Sequence, residues 1–337
     1  MGQARDYIGF IDAAYDFASD DESWLRGLAR AARLGFGIEN LGAYALRYDA
    51  SAPAAFKVTA FEDDGMAAPL AEHFRVDVAR FYAGHPELVA AAFRRTACGP
   101  AGAIPGMKRA TVWAGLATIG VGDVAGINGL NPRGKGAHVG VPIPRIVRFD
   151  RDELTVWQRL AAHLAAAERL RDRVRMTTDR AGAADAVLSP RGKLLHATGE
   201  SKVARARAAL HEAVIDMEKA RGALRRRDPA RSVAMWRALA DARWSLVEHY
   251  ETDGKRYLLA ERNDPATAPL DVLSARERQV VALVAMGQSN KLVAYELGIA
   301  ASTVSVLLGR ACRKLGAKTR GELTAAYLRC SKPRSDS

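Results

Sequence analysis

Residues 274–329 read SARERQVVALVAMGQSNKLVAYELGIAASTVSVLLGRACRKLGAKTRGELTAAYLR. Four helical patterns follow one another with very short breaks. Ser274 stands three residues before Glu277, the spacing of a capping box, in which the two side chains satisfy each other's backbone N–H groups. Val280, Val281, Leu283 and Val284 follow at helical spacing, and Gly287 ends the helix. Ser289 is placed to cap a second helix carrying Leu292, Val293 and Leu297, which Gly298 breaks. Ser302 opens a third, with Val304, Val306, Leu308, Ala311 and Leu315 on it, and Gly316 stops it. Thr319 and Glu322 repeat the capping-box spacing for a fourth helix that ends near Arg329.

The second and third helices have the spacing of a helix-turn-helix. Ala294 is small where the two must approach closely, and Gly298, four residues on, suits a tight turn because glycine takes positive φ without strain. Val304, ten residues after Ala294, would pack between the helices. That packing leaves the start of the third helix exposed for a major groove. An ordinary small helical subdomain would explain the caps, but not the Ala294, Gly298 and Val304 spacing together with the basic residues around it.

Residues 273–328 resemble the LuxR-type (GerE-type) helix-turn-helix domain. The matching residues are Arg276-Glu277-Arg278, Ser289-Asn290-Lys291, Leu297-Gly298-Ile299, Ser302-Thr303-Val304, Arg313-Lys314-Leu315-Gly316 and Arg320-Gly321-Glu322-Leu323. The match covers about a sixth of the chain. It implies an all-α four-helix domain that binds double-stranded DNA. It implies base-reading positions at Ser305, Val306 and Gly309, and phosphate contacts from Lys291, Thr303, Arg310, Arg313, Lys314, Lys318 and Arg320. The sequence departs from the family at three places. Leu292 replaces a usual acidic residue, Leu307 stands where His is frequent, and Gly309 stands where a base-contacting side chain is frequent. Bidentate base discrimination needs Arg, Lys, Asn or Gln, and Ser305, Val306 and Gly309 supply none.

The chain has 337 residues, enough for two or three domains, with 26% charged and 49% hydrophobic residues. That composition is globular. A formal net charge of +12 suits a polyanionic partner. Cys98, Cys312 and Cys330 are widely spaced and odd in number, which predicts neither a disulfide framework nor a zinc site and fits a reducing cytoplasm. No apolar run approaches the ~18 residues of a membrane span. The N-terminus carries Asp6, Asp12 and Asp16 and does not read as a signal peptide, and Asp6 stands where myristoylation after Gly2 needs Ser or Thr.

From the start of the chain, residues 5–35 predict one helix and 43–48 and 56–61 two strands. Helical patterns then run over 67–83 and 86–97, followed by a Gly/Pro loop at 99–106 and strand-like text from Trp113 to Val147, clearest at 125–129 and 138–143. A long helix closes the unit from Asp152 to about Thr177. This order resembles a GAF domain, an α+β sensory module with a central antiparallel sheet and one ligand pocket. Within it, Gly129 to Gly136 nearly spells a phosphate-binding loop. Gly136 stands where a magnesium-binding hydroxyl is required, and Pro142 and Pro144 follow instead of a helix. The stretch therefore predicts a hairpin tip, with Arg133 and Lys135 in solvent. On the long helix Trp157, Leu160, Leu164, Ala167 and Val174 form a short stripe that Arg171 interrupts. Such a stripe either covers its own sheet or serves as a dimer seam.

A second unit follows a small polar boundary at 176–185. A hairpin is predicted around Ser189-Pro190-Arg191-Gly192, two helices at 201–226 and 229–242, then strands flanking the turn Thr252-Asp253-Gly254-Lys255. Two hairpins around helices resemble a small α+β PAS-like sensor. The expected division is thus 1–178 GAF-like, 183–262 PAS-like, 263–270 linker, 271–330 helix-turn-helix and 331–337 tail.

The seven histidines show no metal-ligand spacing, and no acid, base and nucleophile cluster, so neither a metal, a cofactor nor an enzyme is expected. Asp63-Asp64 follows two antiparallel-looking strands, which argues against a phosphoacceptor domain. The expectation is a one-component transcription regulator, dimeric on DNA, with RNA polymerase as a partner and a small-molecule ligand for the upstream modules. The alternatives are a sigma-like factor, because Arg310 to Leu315 also resembles a promoter-reading helix, and an enzyme with an accessory helix-turn-helix.

Overall fold

The computed structural model describes residues 5–51, 56–95, 97–104, 107, 116–131, 134–175, 183–250, 254–263 and 272–330. Residues 264–270 of the expected linker 263–270, the tail at 331–337, Gly2, Trp113, Arg133, Thr177, Thr252 and Asp253 lie outside those residues.

The N-terminal helical pattern divides in two, α1 Tyr7–Ala14 and α2 Asp21–Gly35. Two short acidic side chains break it. Asp16 accepts hydrogen bonds from the backbone N–H of Ala18 and from Ser19, and Asp20 accepts from Ser23 N at 2.7 Å to cap α2. Aspartates offer the backbone these alternatives to a continuous helix, and a purely apolar periodicity does not register them.

Five antiparallel strands form the first sheet: β1 Ala43–Asp49, β2 Lys57–Asp64, β3 Cys98–Pro100, β4 Asp123–Leu130 and β5 Lys135–Ile143, in the order β2-β1-β5-β4-β3. Both of its faces are covered. Ala43 and Ala45 of β1 join α1, α2 and the long helix Arg151–Arg175 (α5) in one apolar cluster. Tyr44, Leu46 and Tyr48, alternating with them, join Phe74 and Phe93 in another. Phe74 lies on α3, Ala68–Gly84, which is followed by the short α4, Pro86–Val89, and a π-helical turn, Ala90–Arg95. The near-phosphate loop is the tip of the β4–β5 hairpin. Asn131 N donates to Lys135 O at 2.8 Å, Gly134 takes φ +84°, and Lys135 begins a strand.

The stripe on α5 covers its own sheet. Trp157, Leu160, Leu164 and Ala167 are buried inside the chain, which removes them as a dimer seam. Arg171, expected to interrupt the stripe, is fully buried and anchors the α1–α2 corner. Its Nε donates to Asp21 at 2.9 Å, its terminal nitrogens donate to the carbonyls of Asp16, Ser19 and Asp20, and its guanidinium lies 4.5 Å from the Trp24 ring centroid. A planar donor fork over an aromatic face is what makes an arginine tolerable there.

The second sheet has the order β7-β6-β9-β8, from β6 Ala186–Leu188, β7 Leu194–Ala197, β8 Trp244–Tyr250 and β9 Arg256–Arg262. The helices α6 Ala204–Arg221, α7 Leu224–Arg227 and α8 Pro229–Met235 lie between its two hairpins in sequence. Leu210, Val214, Met217 and Trp236 belong to the same apolar cluster as α1 and α5, so the two α+β parts are packed as one body. Arg225 pairs with Asp6 at 2.6 Å and Arg221 with Asp12 at 2.7 Å across the junction. The last of the described residues form four helices: α9 Ala275–Ala285, α10 Asn290–Leu297, α11 Ala301–Leu315 and α12 Arg320–Cys330. No single described helix is long and apolar enough to cross a membrane.

Candidate DNA-binding surface

The caps of this last region form largely as their spacing predicts. Ser274 and Glu277 close a full capping box on α9, and Ser289 caps α10 by accepting from Leu292 N. On α12 only half of the expected box forms. Glu322 N donates to Thr319 Oγ1 at 3.1 Å, but the Glu322 carboxylate accepts from Lys318 N rather than Thr319 N. The third helix starts at Ala301, one residue before Ser302, with no capping side chain at Ala300.

α10 and α11 meet at a bend of 108°, within the range of a helix-turn-helix. Gly298 closes α10 at φ +63°, and Ile299 N donates back to Ala294 O at 3.0 Å, the bonding of a glycine C-cap. Ala294 and Val304 are buried in one cluster with Val280, Leu283, Val293 and Leu297. The packing of α10 and α11 turns the other side of α11 outward. Thr303, Ser305, Val306, Gly309, Arg310 and Arg313 are all exposed, Val306 at 52%. A side chain at Gly309 would meet nothing within 4 Å. Ser305 Oγ donates to Ala301 O at 3.2 Å and accepts from Asn290 Nδ2 at 3.4 Å.

The basic residues fall into two sets. Lys291, Arg310 and Lys318 project into solvent around this face, as does Arg313, whose Nε reaches Gly309 O at 3.4 Å. Lys314 and Arg320 have partners within their own domain. Lys314 Nζ donates to Glu277 at 2.7 Å, and Arg320 donates to Asn290 Oδ1 at 2.8 Å and to Gln288 O. Burial pushes the Glu277 carboxyl up, but the bonds from Lys314 and Ser274 outweigh it and hold its pKa low. Replacing Lys314 with Ala is therefore expected to lower stability as well as DNA affinity. Urea unfolding should show a loss of up to about 1 kcal/mol, because Lys314 is 43% exposed and Glu277 keeps the bond from Ser274 N.

The back of α10 is fastened to the upstream body, and this was not read from sequence. Leu292 packs on Ala162 of α5 and on Tyr295, which accounts for an apolar residue where the family usually has an acidic one. The Tyr295 hydroxyl has one proton to donate, shared between the carbonyls of Trp236 (2.5 Å) and Val233 (2.8 Å), and lies 2.7 Å from His163 Nε2. His163 Nε2 also lies 2.8 Å from Trp236 O, a partner that can only accept, so Nε2 carries the proton and Nδ1 accepts from Tyr15 at 3.3 Å. Glu296 pairs with Arg169 of α5 at 3.0 Å, with side chains 0% and 7% exposed, and accepts from Gln288 Nε2 at 2.8 Å. Leu239, from the loop before β8, is buried in the core of the helix-turn-helix, and Arg237 donates to Gly298 O at 3.3 Å.

Burial lowers the pKa of His163 from its ordinary 6.5 to about 4. The unfolded chain therefore accepts a proton that the folded one refuses. Stability is complete above pH ~6.5, falls as the pH drops towards 4, and loses no more from this group below that, by up to about 3 kcal/mol at 1.36 kcal/mol per pKa unit. His163→Gln is expected to flatten the urea midpoint over this pH interval relative to the unmodified chain.

Comparison with known proteins agrees with the geometry. The family profile GerE, described as bacterial regulatory proteins of the luxR family, matches residues 271–326. The HTH-type transcriptional activator RamA of Corynebacterium glutamicum is 39% identical over 89 residues, which are 25% of this chain and 32% of that protein. The matched part thus spans about a third of that relative's length. The crystal structure of Escherichia coli SdiA aligns over 93% of both chains at 11% identity with a TM-score of 0.32. Residues 271–326 of this chain are a helix-turn-helix domain of the luxR family of bacterial regulatory proteins.

Proposed function

We propose that the chain is a one-component transcription regulator whose upstream α+β body senses a small molecule and whose C-terminal domain binds DNA as part of a dimer. The observation that carries this reading is the two-sidedness of the helix-turn-helix. The outer face of α11 is exposed and carries Arg310 and Arg313, with Lys291 and Lys318 also exposed in this domain, while the back of α10 is bonded into the upstream body. The GAF-like reading of 1–178 draws support from the sheet order β2-β1-β5-β4-β3 with helices on both faces, and the PAS-like reading of 183–262 from two hairpins enclosing helices. The segment 263–270 then serves as linker, 271–330 as the DNA-binding domain and 331–337 as a tail. A sigma-like factor finds less support, because the upstream body is built on two antiparallel sheets.

In this reading Ser305, Val306 and Gly309 face the bases. Lys291, Thr303, Arg310, Arg313, Lys314, Lys318 and Arg320 lie along the phosphates, and RNA polymerase is the downstream partner. One helix-turn-helix contacts a single half-site, so two protomers would occupy half-sites about one turn, ~34 Å, apart. The test is electrophoretic mobility shift of the purified chain on promoter fragments without RNA polymerase, with footprinting and mass measurement of the complex. Two protomers on a repeated site are expected; failure to bind without polymerase, or one protomer on a non-repeated site, contradicts the reading.

Lys291→Ala is expected to weaken binding to all sequences alike and to reduce the log–log salt slope by about one, the loss of one phosphate contact. An unchanged slope would mean that Lys291 is only a solvated surface charge.

A further inference from the structure

The face of the five-stranded sheet turned away from α5 carries an uneven floor. Tyr44, Gly140 and Gly126 stand opposite one another across β1, β5 and β4, and Leu46, His138 and Asn128 form the next row. The glycines make room for rings. A Cβ on Gly140 would lie 2.2 Å from Tyr44 Cζ, and one on Gly126 would lie 2.6 Å from His138 Cε1. Phe74, Val78 and Tyr82 of α3 face this floor across a cavity of about 210 Å³. One water needs roughly 10–15 Å³ on this scale, so the space suits a molecule of about a dozen non-hydrogen atoms.

The polar end of the cavity has a fixed hydrogen-bond polarity. The Asn128 amide nitrogen donates to Ala92 O at 2.7 Å, which leaves its oxygen to accept from His138 Nδ1 at 2.6 Å. His138 Nε2 is therefore an acceptor. Its neighbour is the Tyr44 hydroxyl at 3.4 Å, which is long for an O–H···N bond. Burial lowers the pKa of His138 to about 4, so the acceptor persists at neutral pH. The Tyr82 hydroxyl, also on the lining, has no hydrogen-bond partner among the described residues. No Lys or Arg is among the described lining residues, and His73 and Asp77, which also line the cavity, engage each other at 2.7 Å.

We propose that this cavity binds a neutral, flat, largely apolar molecule carrying one hydrogen-bond donor, a hydroxyl or ring N–H, directed at His138 Nε2. The proposal rests on the reading of the upstream body as the sensing part. The site also has a route to the DNA-binding domain: Phe93 and Asn128, in its wall, line a second crevice closed by Met286, Gln288 and Leu292.

The test is calorimetric titration of the full chain, without DNA, with 2-naphthol, 2-methoxynaphthalene and 2-naphthoate. 2-Naphthol is expected to bind about tenfold more tightly than its methyl ether, the worth of one hydrogen bond in a desolvated site. 2-Naphthoate should be at least about tenfold weaker than 2-naphthol, because its charge would be buried without a cation. His138→Phe should bring 2-naphthol and its ether to equal affinity. Val78→Phe, a change on α3 that leaves the residues of the sheet unaltered, fills the cavity and should weaken every probe at least about tenfold; with the wild-type series it decides the matter even where His138→Phe unfolds. The proposal is overturned if no 2-naphthol binds at millimolar concentration, if the wild type does not distinguish it from its ether, if folded His138→Phe keeps the preference, or if Val78→Phe binds all three like the wild type. DNA affinity is then measured with and without 2-naphthol. Binding that leaves DNA affinity unchanged supports the site and counts against the sensing role alone.

Discussion

Glu296→Ala is expected to destabilise the chain by about 3–5 kcal/mol, the cost of leaving one member of a buried ion pair without the other. Arg169 and Glu296 are almost wholly removed from solvent, and they join α5 of the upstream body to α10 of the helix-turn-helix. Arg169→Ala should cost a similar amount. The double variant Arg169→Met with Glu296→Leu should recover much of the loss, because replacing both charges by apolar groups removes the desolvation penalty with the attraction. Urea unfolding followed by circular dichroism checks the stability, and hydrogen exchange on α10 checks where it is lost. The outer face of α11 is untouched by these changes, so the salt dependence of DNA binding should keep its slope. A loss below about 1 kcal/mol, as for an exposed pair, would mean that α10 is not held to α5 in solution.

The second large effect is expected at Gly298. Alanine there must adopt φ +63°, a cost of ~1–2 kcal/mol for a residue with a Cβ. The added carbon would also fall 1.9 Å from Leu239 O, so the loop that plugs the helix-turn-helix core must move. Overpacking of this kind adds about 1–3 kcal/mol, for a total of roughly 2–5 kcal/mol. Gly316 separates the two contributions. Its φ is +65°, but nothing lies within 4 Å of an added Cβ. Gly316→Ala should therefore show the strain alone, ~1–2 kcal/mol. Equal urea midpoints for the two variants would mean that Leu239 does not press on the turn.

The helix-turn-helix was legible in the sequence because its signals are local. Ser274, Glu277, Ser289, Gly298 and Gly316 act on backbone groups within a few residues of themselves, and their caps and turns form as read. Ala294 and Val304 pack across a turn of fixed length. The back of α10 was not legible. Tyr295 and Glu296 find their partners at Trp236, His163 and Arg169, far away in the chain, and no spacing rule connects them. The one available signal was Leu292, apolar where its family is usually acidic. The anchoring role of Arg171 was hidden for the same reason, since the carbonyls that hold it come from the corner between α1 and α2. The cavity on the five-stranded sheet was hidden because Gly126 and Gly140 look like strand breakers until their cross-strand register places them opposite each other.

In the proposed function the outer face of α11 reads DNA through Ser305, Val306 and Gly309. Bidentate contacts worth ~1–3 kcal/mol each are out of reach for these side chains, so specificity per half-site should be modest and lean on spacing and DNA shape. Gly309 has open space around it, and Gly309→Lys places a long donor there, which should tighten binding and shift base preference. Val306→Ala should relax discrimination at one thymine, whose methyl group valine can touch, and leave the salt slope unchanged. The most direct measurement is selection from a random DNA library with the unmodified chain and these two variants. A shifted motif for Gly309→Lys and a relaxed position for Val306→Ala are expected from base contact by this face. Identical motifs from all three proteins would contradict it and would mean that this face of α11 does not meet the bases.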